Sequence, residues 1–189
     1  MLARVAWITA QLMRFKAGPQ DFVYARGLSL PIALFAAFVN FLQLSITMPT
    51  GVAVVESVVV VLVTIAFTQF VLQFKRFTSR AQQTVNSLLC TDIVFKLLLL
   101  PVLFWIGPDV LRQFSENPQM LEQGQVPGAP MMVLFALSLW NLAVSAHIYR
   151  CALEIGIFMG VGITLAGTFM LYSLLGAVAQ MLGLGASSP

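Results

Sequence analysis

The sequence predicts an all-α integral membrane protein: a bundle of five transmembrane helices preceded by an amphipathic N-terminal helix. Of the 189 residues, 59% are hydrophobic and 9% are charged, whereas a soluble domain carries about 25% charged residues. The apolar residues form runs that are long enough to cross a bilayer. The basic residues gather in alternate polar segments between these runs, which is typical of multi-span membrane proteins.

Residues 1–27 are predicted to form an amphipathic segment in front of the membrane domain. On a helical wheel of residues 2–16, Arg4, Gln11 and Arg14 share one arc and apolar side chains occupy the rest. Such a helix suits the membrane surface, and it equally suits a lead-in helix that packs on the bundle. These polar residues also argue against a cleavable signal peptide.

Five apolar stretches each match a hydrocarbon core of about 30 Å at about 1.5 Å per residue. The predicted spans are residues 28–48, 52–74, 88–106, 131–148 and 155–182, and a short tail follows at 183–189. No glycine or proline separates the last two spans before Gly156. One continuous helix over both would be about 78 Å long, so we expect a turn within residues 147–156.

The charges of the loops predict the orientation of the bundle. The N-terminal segment and the loop at 75–87 are basic, whereas the loop at 107–130 holds more acids than bases. Basic loops stay in the cytoplasm, so the N-terminus is predicted to be cytoplasmic and the C-terminus to lie outside. Cys90 and Cys151 then fall near the cytoplasmic face, where we expect reduced thiols.

Two charged residues are predicted to lie inside the membrane. Asp92 and Lys96 on the third span have the i, i+4 spacing and the order that favour a helix ion pair. An isolated charge there costs about 2.5–3.5 kcal/mol. The pair is either functional or a device that fixes helix register while Lys96 extends towards water.

The stretch 140–154 contains the only histidine. If the helix continues, His147, Arg150 and Glu154 share one side of it, and Arg150 and Glu154 form an i, i+4 pair. Asn141 points the other way and is predicted to cross-link helices. This corner is either a proton relay or headgroup-binding point, or a turn held by its own hydrogen bonds.

The fifth span carries a row of small residues spaced by four. The row consists of Gly156, Gly160, Thr164, Thr168 and Gly176. Small side chains let a neighbouring backbone come close, so this row predicts close helix packing.

The sequence predicts no enzyme activity, no cofactor and no metal site. It contains no hydrolase elbow, zinc-protease, P-loop or dinucleotide motif. The two cysteines and the single histidine stand in no metal-ligand spacing. A lipid enzyme that uses His147 with Ser145 or Cys151 is the weakest interpretation, because 145 and 147 lie on opposite helical faces. The basic residues form no single patch, so nucleic-acid binding is not expected.

Three stretches resemble segments of small bacterial members of the Yip1-domain type of five-span membrane protein. They are residues 15–21 (FKAGPQD), 76–84 (RFTSRAQQT) and 140–154 (WNLAVSAHIYRCALE). The resemblance implies a five-helix fold with a cytoplasmic N-terminus and no established enzyme activity, and its eukaryotic relatives are linked to membrane traffic and partner binding. Cys151 departs from the pattern, which has histidine or a small residue there. No residue's role carries over.

We therefore expect a non-enzymatic protein of the bacterial inner membrane that acts as a scaffold, assembly factor or accessory subunit. Its expected partners are anionic headgroups at the cytoplasmic face and another membrane protein or a second copy of itself. The alternative is a small proton-coupled transporter or permease. That alternative uses polar residues on inward helix faces, namely Asn40, Gln43, Thr64, Thr68, Asp92, Lys96, Asn141 and Ser145. The absence of an inverted repeat disfavours it.

Overall fold

A computed structural model describes residues 1–25, 27–116 and 128–181 of the chain. Within these ranges the chain is helical, without strands. The helices are α1 (Leu2–Met13), α2 (Ser29–Leu44), α3 (Thr50–Phe74), α4 (Ala81–Ile106), α5 (Pro108–Glu116), α6 (Gly128–Leu153) and α7 (Ile157–Met181). The predicted tail at 183–189 and much of the predicted loop at 107–130 lie outside the described residues.

Four helices are long and apolar enough to cross a membrane: α3, α4 together with the turn before it, α6 and α7. Within the described residues, this confirms a helical chain with long apolar helices that could span a membrane. The first predicted span is a shorter helix: α2 has 16 residues, or about 24 Å, and turns follow it as far as Met48. A fifth crossing by α2 stays a prediction.

The helix of the third predicted span begins earlier than the sequence indicated. A 3-10 turn at Thr78–Arg80 leads directly into α4 at Ala81, although the polar residues to Ser87 were predicted to form a loop. Thr84, Asn86 and Ser87 are completely buried. Residues that are distant in the sequence bury these side chains. The local sequence therefore shows only their polarity, which is also typical of a solvated loop.

The predicted turn between the last two spans lies at Glu154–Gly156, within the expected range. Glu154 takes a left-handed conformation with φ of 54°, which is usually a role for glycine. The N–H of Ile155 then donates to the Arg150 carbonyl at 3.2 Å and closes the end of α6. A non-glycine residue at this position explains why the sequence showed no turn signal.

The helices run alternately up and down, and α4 lies at their centre. α4 contacts α1, α2, α3, α5 and α6, whereas α7 rests mainly on α6 and α3. In the most apolar stretch of each helix, 44% of α4 is buried and 6% of α7. Leu89 and Phe95 of α4 join Val39 and Ile148 in one core cluster. The central position of α4 places its charged pair inside the bundle.

One end of the bundle collects the start of α2, α4 and α7 and the end of α3 and α6. Gln82 at the start of α4 donates to Ser29 at the start of α2, at 3.1 Å. Arg80, just before α4, pairs with Glu154, just after α6, at 2.8 Å. We call this the basic end.

The N-terminal helix packs on the bundle along one face. Ile8, Thr9, Leu12 and Met13 are buried, and α1 contacts α4 and α6. Trp7 on the outer face remains 64% exposed. One face of α1 therefore packs on the bundle, and a position of its other face at the membrane surface stays a prediction.

Candidate functional sites at the basic end and in the bundle interior

The N-terminal segment covers the basic end of the bundle. We call α1 together with residues 14–25 the cap. Two side chains of α6 hold it through its backbone. Trp140 Nε1 donates to the Met13 carbonyl at 3.1 Å, and His147 Nε2 lies 3.1 Å from the Ala17 carbonyl oxygen. Since a carbonyl only accepts, this ring nitrogen donates.

Two glutamines of α4 hold the second half of the cap. Gln83 Nε2 donates to the Phe22 and Gln20 carbonyls, at 2.9 and 3.2 Å. Gln82 Nε2 donates to the Ala25 carbonyl at 3.1 Å. A loop without regular structure needs such partners for its backbone. These glutamines were part of the predicted basic loop and were not candidates from the sequence.

The cap also has its own local order. The Gly18 N–H donates to the Asp21 carboxylate at 2.8 Å, and Pro19 starts a short 3-10 turn. Phe22 follows this turn and is 2% exposed. The carboxylate thus fixes the turn that inserts Phe22 into the core.

The predicted Arg150–Glu154 pair is wrong. α6 ends at Leu153, and the left-handed Glu154 leaves the helical face on which the pair depended. Its carboxylate instead binds Arg80, which also donates to the Ala152 carbonyl at 3.4 Å. Arg150 is exposed. The Arg80 and Glu154 side chains are 33% and 61% exposed, so this pair contributes at most about 1 kcal/mol.

His147 holds the cap and does not join Arg150 and Glu154 in one cluster. Its ring makes an edge-to-face contact with Phe15, with 5.4 Å between centroids. Cys151 Sγ lies 3.7 Å from Nε2, the same nitrogen that donates to the cap. His147 therefore has a structural role in holding the cap, whereas the sequence suggested a proton relay as one possible role for it.

Three helices finish with the same motif, and two of them, α3 and α6, finish at the basic end. α1, α3 and α6 are each followed by a non-glycine residue at positive φ: Phe15 (59°), Arg76 (61°) and Glu154 (54°). The next N–H reaches back to the last helical turn, from Lys16 to Gln11, Phe77 to Leu72 and Ile155 to Arg150, at 2.9, 2.8 and 3.2 Å. These are Schellman endings, in which glycine is usual.

Unpaired basic residues surround the cap. Arg14, Lys16, Lys75, Arg76 and Arg150 are exposed, and no described carboxylate forms an ion pair with them. The acids at this end are already engaged: Asp21 with Gly18 and Glu154 with Arg80. The basic end therefore carries a net positive charge.

A cavity of about 620 Å³ that is open to the protein surface lies between α3, α4, α6 and α7. Three of the candidate polar residues and two of the small-residue row line it: Asp92, Lys96, Asn141, Thr164 and Thr168. The remaining polar lining residues include Gln43, Thr64, Ser138, Ser145 and Tyr149. Leucines form most of the apolar wall. The sequence predicted inward polar faces, and the structure brings them to one cavity.

Asp92 and Lys96 form the predicted pair, with Lys96 Nζ 3.0 Å from Asp92 Oδ2. The Lys96 ammonium also donates to Asn40 Oδ1 on α2. Asn40 in turn donates to the Ala36 carbonyl at 2.7 Å. Lys96 thus connects α4 to α2 inside the bundle, with 16% of its side chain exposed.

The cavity wall presents mainly hydrogen-bond acceptors. The hydroxyls of Thr64, Ser138, Thr164 and Thr168 each donate to a carbonyl four residues earlier on their own helix, at 2.8–2.9 Å. Their lone pairs are left for the cavity. Within the described residues, Asn141 and Ser145 make no side-chain hydrogen bond. Asn141 therefore does not cross-link helices as predicted.

Tyr149 joins α6 to α3 beside the cavity. Its hydroxyl shares a hydrogen bond with Thr68 at 2.9 Å, and its ring meets Phe67 edge to face. Thr68 was predicted to face inward, whereas Tyr149 carried no distinguishing signal in an aromatic-rich sequence.

The predicted packing row is only partly correct. A Cβ on Gly160 would lie 2.5 Å from the Ala146 carbonyl, so α6 and α7 approach closely there. Gly156 has nothing within 4 Å of an added Cβ, and Thr164 and Thr168 face the cavity. Gly167, outside the predicted row, packs on the Phe67 ring, 2.7 Å from an added Cβ.

Beneath the cap, α4 buries two polar side chains that have no partner in the described structure. Both amide atoms of Asn86 and the Ser87 hydroxyl are without a hydrogen bond. Such groups usually hold a buried water or cost stability.

Comparisons with protein-family models, with curated proteins and with solved structures found no match for this chain. The resemblance to Yip1-domain proteins therefore stays a prediction.

Proposed function

We propose that this chain is a non-enzymatic protein of the bacterial inner membrane that acts as a scaffold, assembly factor or accessory subunit. The observation that carries the proposal is the basic end: a cap fixed by hydrogen bonds and surrounded by unpaired cations. Fixed shape together with accessible charge suits a binding platform.

In the proposed orientation the basic end faces the cytoplasm. Positively charged segments stay on that side during insertion. Five crossings, including α2, then place the N-terminus inside and the C-terminus outside. Each basic residue near an anionic leaflet contributes about 1 kcal/mol of attraction, so Lys75, Arg76 and Arg150 contact lipid headgroups in this arrangement.

The proposed partner is either another membrane protein or a second copy of the chain, and it binds along α7. Gly160 is the only buried residue of this helix, and large apolar side chains such as Phe158, Phe169 and Tyr172 are exposed. An exposed apolar helix surface with small residues can pack closely against a partner helix, and it can also face lipid.

The lipid contact is tested by native mass spectrometry of the protein with phosphatidylglycerol and phosphatidylcholine. We expect wild type to retain phosphatidylglycerol preferentially, and the triple variant Lys75→Gln, Arg76→Gln, Arg150→Gln to lose that preference. The charge-preserving control Lys75→Arg, Arg76→Lys, Arg150→Lys keeps it. Equal retention of both lipids by wild type contradicts the proposed contact.

The partner is tested by crosslinking in cells followed by purification in mild detergent. A scaffold yields a defined crosslinked species, either a heteromer or a dimer. A chain that remains a lone monomer under both conditions contradicts the scaffold role.

The second candidate function is a small proton-coupled transporter or permease. The cavity and the Asp92–Lys96 pair within it favour this alternative. It predicts a substrate flux in liposomes that Asp92→Asn abolishes, and a flux unchanged by that substitution counts against it.

A further inference from the structure

The cavity has the dimensions of a ligand site. Its volume of about 620 Å³ falls within the range of about 300–1,000 Å³ that is usual for small-molecule sites. Most of its lining residues belong to α3, α4, α6 and α7, the helices that are long and apolar enough to cross a membrane. The composition of its walls then decides which chemistry fits.

The charged pair turns its negative side to the cavity. The Asp92 side chain is 26% exposed and the Lys96 side chain 16%. Lys96 is held by both Asp92 and Asn40, whereas Asp92 Oδ1 has no partner among the described residues. A ligand therefore meets a carboxylate oxygen before it meets the ammonium.

The neighbouring hydroxyls strengthen this preference. Thr64, Ser138, Thr164 and Thr168 have given their protons to their own helices and can only accept from a ligand. An anionic ligand would need donors, which among the described lining residues come from Gln43, Asn141, Ser145, Tyr172 and the remaining Lys96 proton, and none of these is a free cation. A donor-rich cation is the better match.

Leu88 and Phe67 line the cavity on the basic-end side of Asp92, and a longer row of leucines lines it on the other side. Leu99 and Leu103 follow Asp92 along α4, Leu134 and Leu137 stand near the start of α6, and Leu171 stands in the second half of α7. In the up-and-down bundle all of these positions lie away from the basic end. From Asp92 to Leu103 the helix rises about 16 Å, which gives an alkyl tail room beside the leucines.

We propose that the cavity binds an amphipathic ammonium compound, with its positive headgroup at Asp92 and its alkyl tail along the leucines of α4 and α6. This site is independent of the scaffold role, which rests on the basic end.

The test uses the full-length protein in nanodiscs and three radiolabelled probes that share one tail: dodecylammonium, dodecanoate and dodecanol. Binding to empty nanodiscs is subtracted. We expect saturable binding of dodecylammonium, at least about tenfold tighter than that of the other two probes. Stronger binding of dodecanoate or dodecanol, or no saturable dodecylammonium binding, overturns the proposal.

Variants then assign the site to Asp92. Asp92→Asn leaves Lys96 unpaired and is prone to misfold. The double variant Asp92→Asn, Lys96→Met is used instead, because it removes both charges and should fold. We expect this variant to lose dodecylammonium binding. Lys96→Met alone leaves the Asp92 carboxylate without its partner and carries the same risk of misfolding as Asp92→Asn, so it serves as the folding comparison. Asp109→Asn, on an exposed acid of α5, is the matched control and leaves binding unchanged. Undiminished binding in the double variant contradicts the assignment.

Discussion

At the scale of single residues, the sequence showed which side chains pair within a helix but not which pair between helices. The Asp92–Lys96 pair follows from a spacing of four on one helix. The link from Lys96 to Asn40 depends on how α2 packs against α4 and has no sequence signature. Arg150 and Glu154 had the same favourable spacing, yet the chain turns between them and Glu154 binds Arg80 instead.

The charged pair predicts a strong non-additivity in stability. Asp92→Asn leaves a buried ammonium without its carboxylate and should destabilise the protein by about 3–5 kcal/mol. The double variant Asp92→Asn, Lys96→Met removes the orphaned charge and should be close to wild type. Denaturation in detergent measures both, and equal destabilisation of the two variants would contradict the expectation that removing the orphaned ammonium restores stability.

The unpartnered amide beneath the cap predicts a stabilising substitution. Asn86 is completely buried and neither of its amide atoms has a partner. Asn86→Leu keeps a similar volume and removes the orphaned groups, so it should raise the free energy of unfolding by about 1 kcal/mol. Asn40→Leu is the matched comparison, because Asn40 has partners and its loss should destabilise. A destabilised Asn86→Leu variant would mean that a buried water or another group satisfies the amide.

At the scale of elements, long apolar runs predicted the helices well, whereas their boundaries depended on tertiary contacts. The start of α4 was misplaced because Thr84, Asn86 and Ser87 are polar but buried. The end of α6 gave no signal because Glu154 replaces the expected glycine. The cap is held by glutamine, tryptophan and histidine side chains that bind backbone carbonyls, and such contacts leave no periodic pattern.

The Schellman endings predict that glycine stabilises one helix end more than another. Arg76 is exposed and makes no ion pair in the described structure, so Arg76→Gly removes the strain of positive φ and should stabilise by up to about 1 kcal/mol. Glu154→Gly gives the same relief but loses the contact with Arg80, so its gain should be smaller. Thermal unfolding of both variants measures the difference, and a larger gain for Glu154→Gly would be inconsistent with a contribution from that ion pair.

The cap predicts a local change in protection. Trp140→Phe and His147→Phe remove the two donors that α6 provides to the cap. Each lost bond should cost about 1 kcal/mol, so the double variant should increase hydrogen exchange and proteolysis at residues 14–25. Trp7→Phe, on the exposed face of α1, is the control. Unchanged protection of residues 14–25 would show that the buried apolar face of α1 alone holds the cap.

At the scale of the whole molecule, composition alone was sufficient to place the chain in a membrane. The polar faces of separate helices indicated an interior polar region, but only the packing of α3, α4, α6 and α7 forms it into one cavity. The orientation rests on charge: the exposed, unpaired cations Arg14, Lys16, Lys75, Arg76 and Arg150 share one end. The scaffold proposal and the lipid contact both depend on this end facing the cytoplasm.

The most direct test of the account is therefore the accessibility of single cysteines to a membrane-impermeant thiol reagent in intact cells, on a background without Cys90 and Cys151. Lys75→Cys probes the basic end, and Thr47→Cys and Asp109→Cys probe the opposite end. The proposed orientation with five crossings predicts that Thr47→Cys and Asp109→Cys react with the reagent in intact cells. Lys75→Cys is expected to react only after the membrane is permeabilised. Reaction of Lys75→Cys in intact cells would place the basic end outside and contradict the proposed function.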